Sequence, residues 1–111
     1  MPNVVELLAQ VTGRPSTTDA DVARSHGAPV DALRRALRLL AFMGFAELTE
    51  RNNAGWFWEA RQPSPTSPRV QALRAEAAKT LDDFLASRIF LDLEGEMKAY
   101  ESATSPDAPR S

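Results

Sequence analysis

Three arginines close together in the chain are the side chains best suited to chemistry. Arg34 and Arg38 lie one turn apart if their segment is helical, and Arg35 is their neighbour on the same surface. A guanidinium group donates hydrogen bonds from a planar fork, which matches phosphate oxygens and the acceptor edge of guanine. Together the three groups could bind a polyanion. The alternative is an exposed helix face whose charges serve only solubility.

The other residue types offer little to an enzyme or a metal site. The 111-residue chain has no cysteine and one histidine, and its carboxylates are scattered. Neither a nucleophile with its base nor a set of metal ligands can be proposed from these residues. The adjacent Asp82 and Asp83 are typical of a solvated helix surface rather than of an acid and base pair. We therefore expect no enzymatic activity, no catalytic residue, no metal and no cofactor.

A helix over residues 29–43 must position the arginines. Pro29 has a fixed φ that suits a first helical turn, and a glycine follows the last turn. Leucines recur along the segment at spacings of four and three, and they form an apolar stripe opposite the arginines: Leu33, Leu37 and Leu40. The pattern predicts one buried and one cationic face.

A shorter helix and a tight turn precede this helix. Thr18 and Asp21 have the spacing of a capping box, so a helix should begin at Thr18 and bury Val22 and Ala23. Gly27 ends it, because a residue without Cβ readily adopts the left-handed conformation of a helix end. Two helices joined in this way are typical of a helix-turn-helix.

A β-hairpin is predicted over residues 45–60. FAELTE and WFWEA flank RNNAG, whose asparagines and glycine tolerate the positive φ angles of a hairpin turn. Alternation places Trp56 and Trp58 on one face and Phe57 on the other, so one large aromatic is expected outside the domain's own small core. Packing against the chain's C-terminal helix or a partner's is the preferred interpretation. Stacking on nucleic acid and closing a ligand pocket are the alternatives.

With these elements the chain resembles a winged-helix domain of bacterial transcription regulators. The resemblance covers residues 3–61 and depends on VDALRRALRLLAFMGFAEL followed by a glycine-aromatic hairpin. It implies a mainly α fold with a small β-hairpin, in which helix 29–43 is the recognition helix and hairpin 45–60 is the wing. The same stretch is similar to the dimerisation domain of small-molecule O-methyltransferases, which share the fold and need not bind DNA.

The residues predicted to bind double-stranded DNA are cationic or amide side chains on these elements. They are Arg24, Arg34, Arg35, Arg38, Arg51, Asn52 and Asn53. The last three lie at the hairpin tip, where they could reach phosphates or a minor groove, although turn chemistry alone also explains the two asparagines.

The C-terminal half is predicted to be a proline-rich connector, residues 62–68, and one helix over residues 69–100 that Ser67 caps. The helix runs to Glu94 or, past Gly95, to Tyr100. Even the shorter form, about 27 residues, is roughly 40 Å long, which is longer than the winged-helix domain, residues 1–61, can cover. We therefore predict a homodimer through these helices, the alternative being a helix that folds back over its own hairpin. The predicted dimerisation residues are Leu73, Ala77, Leu81, Phe84, Leu85, Ile89 and Leu93. Residues 101–111 are polar and are predicted to be disordered.

Composition excludes further classes of protein. The formal net charge is −2; residues 1–61 carry seven basic and seven acidic side chains, so all the excess acid follows them. Arginine outnumbers lysine eleven to two, which reflects either bidentate anion binding or genomic base composition.

No apolar run approaches the roughly 18 residues of a membrane span, and no basic region precedes an apolar one at the N-terminus. We expect a cytoplasmic protein without a membrane partner.

Two functions from different classes follow. One is a dimeric DNA-binding regulator whose two recognition helices read half-sites about one helical turn apart, or a multiple of it. The other is a winged-helix module for protein interaction or oligomerisation. The clustered arginines favour the first, which is preferred, and the acidic balance favours the second. If salt bridges hold the arginines beneath a neighbouring segment, out of reach of DNA, the protein-interaction module becomes the better hypothesis. Whether a small molecule is sensed is left open.

Overall fold

The computed structural model describes residues 2–104, which form a mainly helical fold with one antiparallel hairpin and a long C-terminal helix. This confirms the predicted fold class. The elements are α1 (Val4–Thr12), α2 (Asp19–Ser25), α3 (Val30–Phe42), β1 (Ala46–Asn52), β2 (Gly55–Ala60), α4 (Pro68–Glu76), α5 (Leu81–Ala86) and α6 (Arg88–Thr104). Among these residues, no helix combines the length and the apolar character needed to cross a membrane.

The predicted helix ends around the first turn are confirmed. Thr18 accepts a hydrogen bond from the amide of Asp21, and the Asp21 carboxylate accepts one from the amide of Thr18, which completes the capping box. The Thr18 contacts also hold the pKa of Asp21 below its ordinary value. Gly27 has a φ of 66°, the left-handed conformation that ends α2. Pro29 precedes α3 with a φ of −64°.

The hairpin has the predicted faces but a different turn. Trp56 and Trp58 share a face, with ring centroids 6.3 Å apart. A bulge at Thr49 shifts the register between the pairs on either side of it. In the described chain only glycines have positive φ, so the asparagines do not use the left-handed backbone that the sequence predicts. Instead the Asn52 side chain accepts hydrogen bonds from the amides of Ala54 and Gly55, at 2.9 and 3.2 Å.

The prediction of one helix over residues 69–100 is wrong, because this segment forms α4, α5 and most of α6. The first break arises where the carbonyl oxygens of Ala77 and Lys79 accept hydrogen bonds from the amides of Val5 and Val4, at 3.2 and 3.0 Å. These contacts tie the segment to the start of α1 and take both carbonyls out of a helical ladder.

The second break is at Ser87, which has an extended backbone between α5 and α6. Its hydroxyl donates to the carbonyl of Phe84 at 2.8 Å and accepts from the amide of Phe90 at 3.2 Å. The break brings the two phenylalanine rings into edge contact, with centroids 5.1 Å apart. At its other end α6 includes residues 101–104, which were predicted as disordered tail; residues 105–111 lie outside the described part of the chain.

The basis of the predicted dimer is also wrong, because the chain covers its own apolar residues. Five of the predicted dimerisation residues are at most 6% exposed within a single chain: Leu73, Ala77, Leu81, Phe84 and Leu93. The other two, Leu85 and Ile89, are partly buried against the same core. Three separate helices of 9, 6 and 17 residues fit against the domain, whereas one 40 Å helix would extend beyond it. The segment therefore folds back on its own domain, as in the alternative, but α5 and α6 pack mainly against α3 rather than against the hairpin.

One hydrophobic core therefore includes both halves of the chain. The leucine stripe of α3 faces it, with Leu33, Leu37 and Leu40 at most 2% exposed. Residues from α1, α2, the hairpin and α4 to α6 complete it. The opposite face of α3 carries the three arginines, and α6 packs against this helix.

Candidate functional site

The structure brings Arg34, Arg35 and Arg38 together on α3, and we refer to these three residues as the arginine face. Each guanidinium group binds one carboxylate through two hydrogen bonds. The pairs are Arg34 with Asp19, Arg35 with Glu94 and Arg38 with Glu101. Asp19 belongs to α2 and the two glutamates to α6. The predicted cluster therefore exists, and its groups are already neutralised within the chain.

Asp19 is the most buried member of the site. Its side chain is fully buried, and its two oxygens accept from Arg34 Nε at 2.8 Å and Nη2 at 3.2 Å. The same carboxylate accepts from the amide of Trp56 at 2.9 Å and from the indole Nε1 of Trp58 at 3.3 Å. A buried charge is tolerated only when it is paired and fully hydrogen-bonded, as here. Asp19 thus connects α2, α3 and β2.

The pair of Arg35 and Glu94 joins α3 to α6. Both hydrogen bonds measure 2.7 Å, and the Glu94 side chain is only 8% exposed. The hydrogen bonds from Arg35 hold the pKa of Glu94 below its ordinary value, against the effect of burial, and they raise the pKa of Arg35. The guanidinium carbon also lies 5.0 Å from the ring centre of Phe90. This ion pair therefore lies within the otherwise largely apolar interface between α3 and α6.

The pair of Arg38 and Glu101 lies closer to solvent. Its hydrogen bonds measure 2.9 and 3.2 Å, and about half of each side chain is exposed. Exposed ion pairs contribute little to stability, typically about 0–1 kcal/mol. An open groove of about 430 Å³ runs between the arginine face and α6, with Trp56 and Met97 among its lining residues. The contact between α3 and α6 is thus tight at Glu94 and loose at Glu101.

The other predicted DNA-binding residues are exposed. Arg51, Asn52 and Asn53 lie at the hairpin tip, and the Arg51 guanidinium carbon is 4.7 Å from the ring centre of Trp56. That ring also contacts Arg34, at 4.2 Å, so it links the tip to the arginine face. Arg24 lies elsewhere, on α2, where it is 75% exposed and 3.5 Å from Asp21.

The chemistry available at this site is the binding of anions by arginine. In the part of the chain that the structure describes, no three acidic or histidine side chains cluster closely enough to hold a metal ion. The arginine face now binds carboxylates. A phosphate that binds Arg35 or Arg38 would compete with Glu94 or Glu101 for the charge of the guanidinium group.

Sequence reasoning missed all three carboxylates. Asp19 precedes a helix in the pattern TTDAD, where an acidic residue is explained by capping and by the helix dipole. Glu94 and Glu101 are seven residues apart, which places them on one helix face two turns apart, and this spacing was available from the sequence.

A scan against protein-family models, a search of curated proteins and a search of solved structures each gave no match.

Proposed function

We propose that the chain is a winged-helix module for protein interaction and oligomerisation, whose arginine face binds an acidic amphipathic helix. The observation that carries the proposal is the occupation of Arg35 and Arg38 by two carboxylates of α6. In a DNA-reading helix these guanidinium groups would face phosphates and base edges. Here they serve contact between protein segments.

The contacts of α6 describe the kind of helix that this surface binds. Glu94 and Glu101 supply the charges, and between them Met97 is 4% exposed. A suitable partner helix therefore presents carboxylates two turns apart with an apolar side chain between them. The cationic surface selects the acidic helix, and the apolar contact supplies most of the binding free energy.

Exposed apolar side chains give independent support to a protein partner. Phe42 is 37% exposed and Tyr100 is 58% exposed, and their ring centres are 5.7 Å apart across α3 and α6. They border a second open groove of about 300 Å³, which Leu48 and Trp58 also line. Aromatic side chains at the surface are enriched in protein interfaces. A homodimer remains the assembly that we propose.

The test measures self-association and DNA binding of the full chain under the same conditions. Light scattering over a wide range of protein concentration should show a mass that rises from one chain toward two. A fluorescently labelled duplex, titrated at two salt concentrations, should show no salt-dependent binding. A chain that stays monomeric and binds the duplex would overturn the proposal.

DNA binding through α3 and the hairpin is the second candidate. Arg35 and Arg38 keep 41% and 50% of their side chains exposed, and the predicted tip residues Arg51, Asn52 and Asn53 are accessible. In this alternative a duplex displaces the α6 carboxylates from the arginine face.

The variant E94Q/E101Q separates the two candidates. It removes two negative charges beside the arginine face while keeping the shape of both side chains. If DNA is the ligand, the variant should bind a duplex more tightly than the wild type, and replacing Arg35 and Arg38 with alanine should reduce the salt slope by about 0.9 for each phosphate that the protein no longer neutralises. The matched control is D92N/E96Q, which removes two exposed charges of α6. Equal, weak binding by all these proteins would reject DNA binding.

A further inference from the structure

The joint between α5 and α6 is a single residue. α5 ends at Ala86 and α6 begins at Arg88, and Ser87 between them has φ −68° and ψ 147°. Residues 81–94 contain neither proline nor glycine, and their apolar spacing predicts an uninterrupted helix. Rotation of Ser87 into helical φ and ψ would therefore join α5 and α6 into one helix over residues 81–104.

Few interactions of Ser87 itself oppose this straightening. Its hydroxyl accepts from the amide of Phe90, which caps α6, and donates to the carbonyl of Phe84 at 2.8 Å. Its own amide donates to the same carbonyl at 3.2 Å. In a continuous helix the amides of Phe90 and Ser87 would find main-chain acceptors one turn earlier. The larger opposition comes from the residues that α6 buries.

Straightening removes α6 from its own α3 and exposes both surfaces. Phe90, Leu93 and Met97, which are at most 4% exposed, would lose their packing, and the arginine face would lose Glu94 and Glu101. A straightened chain alone is therefore unfavourable. A second straightened copy also presents its α6. That helix can bind the surface of α3 that the first copy's α6 has left, because the contacts between α3 and α6 would be the same as those within the single chain.

We propose that two copies of the chain form a dimer by exchanging α6 through straightening at Ser87. Arg35 of each copy then binds Glu94 of the other, and only the joint differs from the single chain. Exchange of an identical element costs little for this reason. The proposal rests on the interaction function proposed above and names a second copy as the partner. It also explains why the sequence pattern is that of one helix while the single chain contains two.

The test changes the joint in the full chain. S87A removes the capping hydroxyl and favours the helix interior, so two altered joints per dimer should lower the dimer dissociation constant about tenfold or more. S87D keeps a capping oxygen and is less suited to a helix interior, so it should not strengthen the dimer. S102A, an exposed position of α6, is the matched control and should leave the constant unchanged. Each protein is refolded at several concentrations before light scattering.

A cross-link identifies the exchanged helix. Because the chain has no cysteine, R38C/E101C carries one thiol on α3 and one on α6. A short bis-maleimide joins them within one chain in the monomer and between two chains after exchange, so the purified dimer should give a covalent dimer on a denaturing gel. A dimer that gives only single cross-linked chains, or that does not respond to S87A, would reject exchange and leave the interaction function standing. Monomers throughout, with duplex binding, would reject both.

Discussion

At the scale of single residues, Asp19 determines both the fold and the site. One buried carboxylate accepts four hydrogen bonds from Arg34, Trp56 and Trp58. It therefore fixes the orientation of the hairpin against α3 and neutralises the innermost cation of the arginine face. The sequence could not predict this role, because an acidic residue at the start of a helix already has a sufficient local explanation.

The variant D19N measures this role. Asparagine keeps the shape, but it turns one acceptor oxygen into a donor group and leaves Arg34 without a counter-ion. We expect the free energy of unfolding to fall by about 3–5 kcal/mol, the range for breaking a buried ion pair when one partner stays behind. Urea denaturation measures the change. The control D92N removes an exposed carboxylate and should leave stability nearly unchanged. A D19N protein as stable as D92N would contradict the assignment.

The pKa of Glu94 predicts how stability depends on pH. Its folded pKa is lowered, first by the hydrogen bonds from Arg35, relative to an ordinary value of 4.5. In that range the unfolded chain binds more protons than the folded one, so the contribution of Glu94 is present above pH 4.5 and is lost as pH falls through the folded pKa. We expect E94Q to lose less stability than the wild type on acidification below this pH. Parallel acid-induced unfolding curves for the two proteins would contradict the expectation.

At the scale of elements, the hairpin is fitted to α2 through Gly55. Its φ is 146°, and a Cβ at this position would lie 2.5 Å from the Thr18 hydroxyl oxygen. Thr18 is itself buried and caps α2, so it has little freedom to move. The hairpin therefore approaches the start of α2 more closely than a residue with a side chain would permit.

The variants G55A and G95A should act in opposite directions. G55A adds both backbone strain and a clash, so we expect a loss of about 2 kcal/mol or more of unfolding free energy. G95A lies within α6 where a Cβ meets nothing within 4 Å, and it should gain about 0.5–1 kcal/mol. Urea denaturation of the two variants beside the wild type tests both expectations. A neutral G55A would mean that the hairpin does not depend on this approach.

The elements also show how far the sequence can predict the structure. Residues that act on neighbours a few positions away were assigned correctly, as with the capping box at Thr18 and the left-handed Gly27. The break after Ala77 was not predicted, because its cause is a hydrogen bond between the carbonyl of Ala77 and the amide of Val5, which is far away in sequence. Ser87 is an intermediate case. Serine is a good helix cap, but only the contact between Phe84 and Phe90 shows that it caps here.

At the scale of the whole molecule, the uneven charge has a structural explanation. The excess acid lies after residue 61, and two of these acidic residues, Glu94 and Glu101, bind arginines of the first half. The excess of acidic residues counted against a nucleic-acid binder. Part of this excess serves to attract the second half of the chain to the arginines of the first half. The arginine cluster itself was predicted from the sequence. Its partners were not, because periodicity defines the faces of a helix and not what each face meets.

The shared core implies that the two halves fold together. Leu73, Phe84 and Phe90 are fully buried in the same core as the leucines of α3. A chain that ends at residue 67 would leave this apolar surface open to water at about 25 cal/mol per Å². We expect such a chain to show no cooperative transition in a thermal melt followed by circular dichroism, whereas the full chain unfolds in one step. A cooperative melt of the shortened chain would restore the first 61 residues as an independent domain, and α4 to α6 would then be an added cover rather than part of the fold.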